Sequence, residues 1–136
     1  MKKQVDYRTG RHCVFAMHVH LVFVLKYRRK VLTERVLAAL RESFDIIAAK
    51  FDAIVRECDG EDDHVHLLVE YPPKVAVSSL VNSLKGASSR LIRKQRFPEV
   101  RKALWGEHFW SPSYFASSCG GAPLDIIKEY IRGQRA

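Results

Sequence analysis

A chain of 136 residues that is 47% hydrophobic can bury a core, which excludes wholesale disorder and fits one domain spanning 1–136. Its 23 Lys and Arg against 15 Asp and Glu leave a net charge of +8, a balance suited to polyanionic partners such as nucleic acid or an anionic membrane surface. Apolar runs fall well short of the roughly 20 residues of a membrane-spanning helix, and the polar start Met1-Lys2-Lys3-Gln4-Val5-Asp6 lacks a signal peptide's apolar stretch, so a cytoplasmic protein without a membrane partner is expected.

In chain order, residues 1–11 read as a polar, basic arm. The run from Cys13 to Lys26, rich in β-branched and aromatic side chains, predicts a long, largely buried strand. A basic turn, Tyr27-Arg28-Arg29-Lys30, follows it. Thr33 then caps a helix to about Lys50 with Leu37, Leu40, Phe44, Ile47 and Ala48 on one stripe. Phe51 to Cys58 and His64 to Tyr71 read as two strands of a hairpin, with Asp59-Gly60 as the turn signal. Ser78 or Ser79 opens a second helix to about Arg96, apolar through Leu80, Val81, Leu84, Ala87 and Leu91, and Pro98 lies beyond its end. Residues 105–119 suggest a strand interrupted at Pro112, and Gly120-Gly121 a flexible joint. Pro123 starts a last amphipathic helix, Leu124 to Gln134. The order β-α-β-β-α-β-α points to an α+β, ferredoxin-like (RRM-like) fold: one antiparallel sheet, helices on one face, and an added C-terminal helix.

Three features could carry chemistry. In Asp63-His64-Val65-His66, strand alternation puts both imidazoles on one face, a ready edge for a metal ion. His18-Val19-His20 repeats the spacing in a more apolar run, where a core or supporting role fits better, and the acidic Glu61-Asp62-Asp63 that precedes the second pair can orient an imidazole or attract a cation. On the last helix, Tyr130 and Gln134 are one turn apart on one face. A tyrosine hydroxyl can serve as a covalent nucleophile, but a reference pKa of about 10 leaves roughly one part in a thousand ionised at pH 7, a deficit near 4 kcal/mol. Read without context, both are ordinary surface residues. Basic residues gather in the arm, around Lys26, Arg28 and Arg29, and on the second helix at Lys85, Arg90 and Arg93, where Ser88 and Ser89 add hydroxyls. With Tyr27, Trp110 and Tyr114 they suggest a path for a single nucleic-acid strand rather than merely solvated charge. The scattered Cys13, Cys58 and Cys119 form neither a disulfide framework nor a zinc knuckle and read as small buried hydrophobes.

Five blocks in order, His20-Leu21-Val22-Phe23 into Lys26-Tyr27-Arg28-Arg29-Lys30, Asp63 to Leu68, Leu84 to Arg90, Trp110 to Phe115, and Ile127 to Gln134, resemble the TnpA-type (IS200-like) transposases of the smallest bacterial insertion sequences, the single-tyrosine HUH transposases. The resemblance implies His64, His66 and Gln134 as ligands of Mg²⁺ or Mn²⁺, Tyr130 on a catalytic helix within 122–136 as the nucleophile, and a homodimer with composite active sites. It also implies binding of single-stranded DNA hairpins at the element's ends, cleaved and rejoined through a 5′-phosphotyrosine with no small-molecule substrate. Imidazole ligands alone would also suit zinc. Alternatives are a domesticated relative acting on genomic palindromic repeats, a non-catalytic nucleic-acid-binding module of the same fold, and a zinc-dependent hydrolase using both histidine pairs.

Overall fold

A computed structural model describes residues 7–26, 31–104 and 108–118. Short strands β1 (Arg8–Thr9) and β2 (Val14–Phe15) pair as a small ladder ahead of β3 (His18–Val24). The single long strand expected over Cys13–Lys26 is therefore broken at Ala16-Met17, and part of the expected arm is folded. Helix α1 (Glu34–Ala49) leads to the hairpin β4 (Ile54–Gly60) and β5 (His64–Glu70). Helix α2 (Val77–Gln95), a short helix α3 (Pro98–Leu104) and strand β6 (Phe115–Ser118) follow. The sheet order β4-β5-β3-β6, antiparallel throughout, is that of the ferredoxin-like fold. None of the helices among the described residues is long and apolar enough to cross a membrane.

Alternation along the two central strands builds the core. Val19, Leu21 and Phe23 of β3 and Val65, Leu67 and Val69 of β5 join one cluster with Val36, Leu40, Phe44 and Ala48 of α1 and Leu80, Val81, Leu84 and Ile92 of α2. Each such side chain contributes about 1.5–3 kcal/mol on full burial. The α2 stripe departs from the expected one past Leu84: Ser88 and Ile92 are buried, whereas Ala87 and Leu91 are half-buried. The buried positions keep a spacing of four along the helix, and the sequence scan followed the apolar letters instead, passing over a serine.

The helix ends are set by local chemistry. Thr33 Oγ1 accepts from the Val36 amide at the N-terminus of α1 and donates to Glu99 Oε2 at 2.7 Å. Helix α2 starts earlier than expected, from an extended Ala76 with no side-chain cap, so Ser78 and Ser79 stand inside its first turn. Arg96, left-handed at φ 55°, closes it. Pro98 does more than follow a helix end: it opens α3, where a missing N–H costs nothing. Helix α3 is tied to α1 by Arg35, whose Nη2 and Nε donate to Glu99 at 2.6 and 2.9 Å.

Asp59-Gly60 is not the turn of the hairpin. Both residues are paired, Asp59 opposite His66 and Gly60 opposite Val65, and the chain reverses over residues 61–63, where the Glu61 amide donates to the His64 carbonyl. Glycine at 60 permits a close approach, since a Cβ there would stand 2.5 Å from Leu37 Cδ2, the end of a flexible side chain, and 3.2 Å from the His64 carbonyl oxygen. The cysteine reading also shifts: Cys13 is exposed, while Cys58 is half-buried and its thiol is pushed up to about 11 by burial.

Candidate active site

His64 and His66 project from the sheet face opposite the helices, because their neighbours Val65 and Leu67 point into the core. Their ring centroids are 4.9 Å apart with planes at 77°. His64 is buried, and its Nδ1 lies 2.8 Å from Asp63 Oδ1. A carboxylate accepts, so Nδ1 carries a proton and Nε2 is the ring nitrogen left for a ligand. Asp63 is held in turn from its main chain, where its carbonyl accepts from the Leu25 amide at 2.9 Å. Burial holds the His66 imidazole below its ordinary value of 6.5; the neighbouring His64 and His20 add to this, while Glu61 and Asp59 oppose it. A neutral, half-buried imidazole beside an oriented one is the protonation state a divalent ion needs.

The register sorts the two histidine pairs. Val22 and Val24 oppose His66 and His64, so His18 is placed at the far end of β3, opposite Glu70. There His18 Nε2 approaches Glu70 Oε1 at 3.4 Å, and the same buried carboxylate accepts from Arg56 at 2.9 Å and pairs with Arg8 at 3.2 Å. This knot fastens the N-terminal ladder to the sheet. His20 lies between His18 and the second pair, its ring 5.6 Å from that of His66. The supporting role read for the first pair fits His18, while His20 borders the site more closely than a separate core position would. Among the described residues, no group of three His, Cys, Asp or Glu could hold a metal ion. Tyr130 and Gln134 lie outside the described residues, as do Arg28 and Arg29.

Beside the His64 end of the sheet, residues 109–111 continue the line of β6. The Ser111 amide donates to the Val24 carbonyl at 2.7 Å and the Lys26 amide to the Phe109 carbonyl at 3.1 Å. Two residues expected on a DNA path hold this segment in place instead. Ser88 is fully buried: its hydroxyl accepts from Trp110 Nε1 at 3.0 Å and donates to the Lys85 carbonyl at 3.1 Å, so it faces an indole rather than a phosphate. Lys85 Nζ donates to the Ser111 and Ser113 carbonyls at 2.6 and 3.2 Å, and burial lowers its pKa. Arg90 and Arg93 are exposed on α2 as expected, and Lys26 is half-buried at the end of the strand. The sequence reading missed the knot at Glu70 and the brace at Lys85, since both depend on cross-strand and interhelix register. Asp63 was legible, as the acid directly before His64.

Comparison with known proteins shows the family. The family described as "Transposase IS200 like" matches residues 13–134, a span that includes His64, His66, Tyr130 and Gln134. The chain is 33% identical over 130 residues to the ISDra2 transposase TnpA of Deinococcus radiodurans, covering 96% of this chain and 92% of the relative. It is 29% identical to the transposase for insertion sequence element IS200 of Salmonella typhimurium, covering 95% and 84%. A crystal structure of a Deinococcus radiodurans protein assigned as a transposase superposes with a TM-score of 0.82 at 30% identity, over 95% of this chain and 98% of that one. A REP-associated tyrosine transposase bound to a REP hairpin shares the fold at a TM-score of 0.56 and 13% identity, over 91% and 67%. With its fold and nearly its whole length matched, the chain belongs to the IS200-like transposase family.

Proposed function

We propose that this protein cleaves and rejoins single-stranded DNA through a covalent bond to Tyr130, at a site where His64, His66 and Gln134 would hold Mg²⁺ or Mn²⁺. The observation that carries the reading is the oriented pair: two adjacent imidazoles on one sheet face, one locked by Asp63 with Nε2 available. A divalent ion bound there would polarise the scissile phosphate. Tyr130 Oη attacks phosphorus, the bond to the 3′-oxygen breaks, and a 5′-phosphotyrosine and a free 3′-hydroxyl result. The phenol's proton leaves to solvent or a nearby base, and the departing 3′-oxygen takes one up. A 3′-hydroxyl of a second strand then attacks the phosphotyrosine, which restores the phenol and rejoins DNA. One phosphodiester is exchanged for another, so no nucleotide cofactor is consumed.

The same reading makes the protein a homodimer acting on hairpin-bearing single strands at element ends. Among the described residues, the two sheet edges differ in a way that supports it. Edge strand β4 carries Arg56, Glu57 and Asp59 and is bulged near Arg56, devices that discourage pairing. Edge strand β6, Phe-Ala-Ser-Ser, has no charge, and Ala116 and Ser118 are exposed. A second copy pairing there would extend the sheet, and in the composite reading its Tyr130 serves these histidines. The rival binding-module reading is less favoured, because on the face away from the helices the central strands carry His18, His20, His64, His66 and Glu70 and no Phe, Tyr or Trp. A zinc hydrolase using four histidines is less favoured because Glu70 draws His18 away.

The test mixes subunits. Tyr130→Phe and His64→Ala proteins are each inactive on a single-stranded oligonucleotide bearing the element's end in Mg²⁺ or Mn²⁺, while His18→Ala cleaves. Mixed dimers of the two inactive variants regain cleavage, since one of their two sites is whole. Mixed dimers no better than either parent would rule out the composite site, and cleavage by His64→Ala would rule out the metal assignment.

A further inference from the structure

A cavity of about 290 Å³ lies between α2 and the segment 108–112, apart from the histidine pair. Its lining is mixed in a particular way. Phe109 and Trp110 are buried and give it apolar walls, while His108 and Pro112 are exposed beside them. Across from them, α2 contributes Ser89 and Gly86. A Cβ added at Gly86 would meet Arg90 Nη1 at 3.4 Å, so the exposed Arg90 guanidinium lies against the bare face of the glycine. The segment is fixed rather than adaptable: Trp110 is bonded to Ser88, Lys85 grips the Ser111 and Ser113 carbonyls, and Ser111 is bonded to Val24. Val24 is the cross-strand partner of His64, so the cavity and the histidine pair share one end of the sheet.

A slot of this size suits one planar ring system better than a duplex or a peptide. An apolar interior with an imidazole and a proline beside it suits an unstacked base, and a guanidinium alongside suits the phosphate joined to that base. The net charge of +8 and the exposed Arg90 and Arg93 favour a polyanionic strand over a neutral heterocycle. We propose that this cavity is a base pocket, which takes one flipped-out nucleobase of the DNA single strand while Arg90 holds its phosphate and so sets which nucleotide stands at a fixed distance from His64 and His66. The proposal rests on the single-strand reading above and adds a specificity site to it.

Gly86→Leu tests it by filling the slot from the helix side. Leucine is the better helix former at that position, so the variant is expected to unfold no earlier than the wild type. Binding is measured to oligothymidine and to a charge-matched abasic polymer. Wild type binds the base-bearing strand more tightly. Gly86→Leu shifts Arg90 and so weakens both complexes, but it loses about tenfold more on the base-bearing strand, in the range for one stacked base, than on the abasic polymer. Equal affinities of variant and wild type for both polymers would overturn the pocket, and so would an equal loss on both, since the change would then act through charge or fold and not through a base. Wild type binding neither strand would overturn the single-strand reading together with the pocket. A second measurement uses no variant. With 5-iododeoxyuridine in the strand, photo-crosslinks on the wild type map to His108–Pro112 or Ser89, and crosslinks confined to other elements would overturn the assignment.

Discussion

Asp63 offers a direct perturbation of the proposed metal site without removing a ligand. In Asp63→Asn the side chain keeps its shape, and the main-chain bond from the Leu25 amide to the residue 63 carbonyl is untouched. The 2.8 Å contact to His64 Nδ1 loses its charge, and the amide can turn its NH₂ toward the ring, which favours the tautomer with the proton on Nε2. A hydrogen bond to a charged group contributes about 1.5–3 kcal/mol, and with both residues buried, solvent does little to replace it. At about 1.4 kcal/mol per tenfold, the Mn²⁺ affinity should fall roughly 10- to 100-fold, the usual effect of losing a partner behind a metal-bound histidine. Calorimetric titration with Mn²⁺ measures this, and the melting temperature without metal checks that the fold survives. A folded Asp63→Asn protein with unchanged Mn²⁺ affinity would refute the reasoning that Asp63 orients His64 for a metal.

Two further substitutions probe the frame around the site. Ser88→Ala strands the buried Trp110 N–H and should cost about 1–3 kcal/mol in urea unfolding, with DNA affinity of the folded protein unchanged; wild-type stability with weakened DNA binding would return Ser88 to the DNA path. The Glu99 carboxyl is held at about 2 by hydrogen bonds from Arg35 and Thr33, below its ordinary 4.5, so its stabilisation is present above pH 4.5 and is lost as pH falls toward 2. Glu99→Gln should therefore lower the melting temperature at neutral pH, and the gap to wild type should shrink over that interval; a gap constant from neutral pH to about 2 would contradict this.

The parts legible in the sequence were those written in local patterns. Alternation placed His64 and His66 on one face, the apolar stripe and Thr33 gave α1, and the element order gave the sheet class. The misreadings arose where one pattern had two physical meanings. Asp59-Gly60 has turn chemistry, yet Gly60 serves close packing against Leu37. Pro98 marks a helix end and equally a helix start. Ser88 and Lys85 have the chemistry of phosphate contacts, and only the packing of α2 against the 109–113 segment turns them into internal braces. The separation of His18 from His64 depends on the β3–β5 register, which no single strand reveals.

The central claim is that Tyr130 becomes covalently joined to DNA. Wild-type protein is incubated with Mn²⁺ and a single-stranded oligonucleotide labelled on the 3′ side of the cleavage site, then denatured in SDS. The account predicts a labelled, SDS-resistant adduct whose DNA-bearing peptide contains Tyr130, absent from Tyr130→Phe although that variant still folds and binds the strand. An adduct of equal yield in Tyr130→Phe, or cleavage by wild type with no adduct at any time, would contradict it.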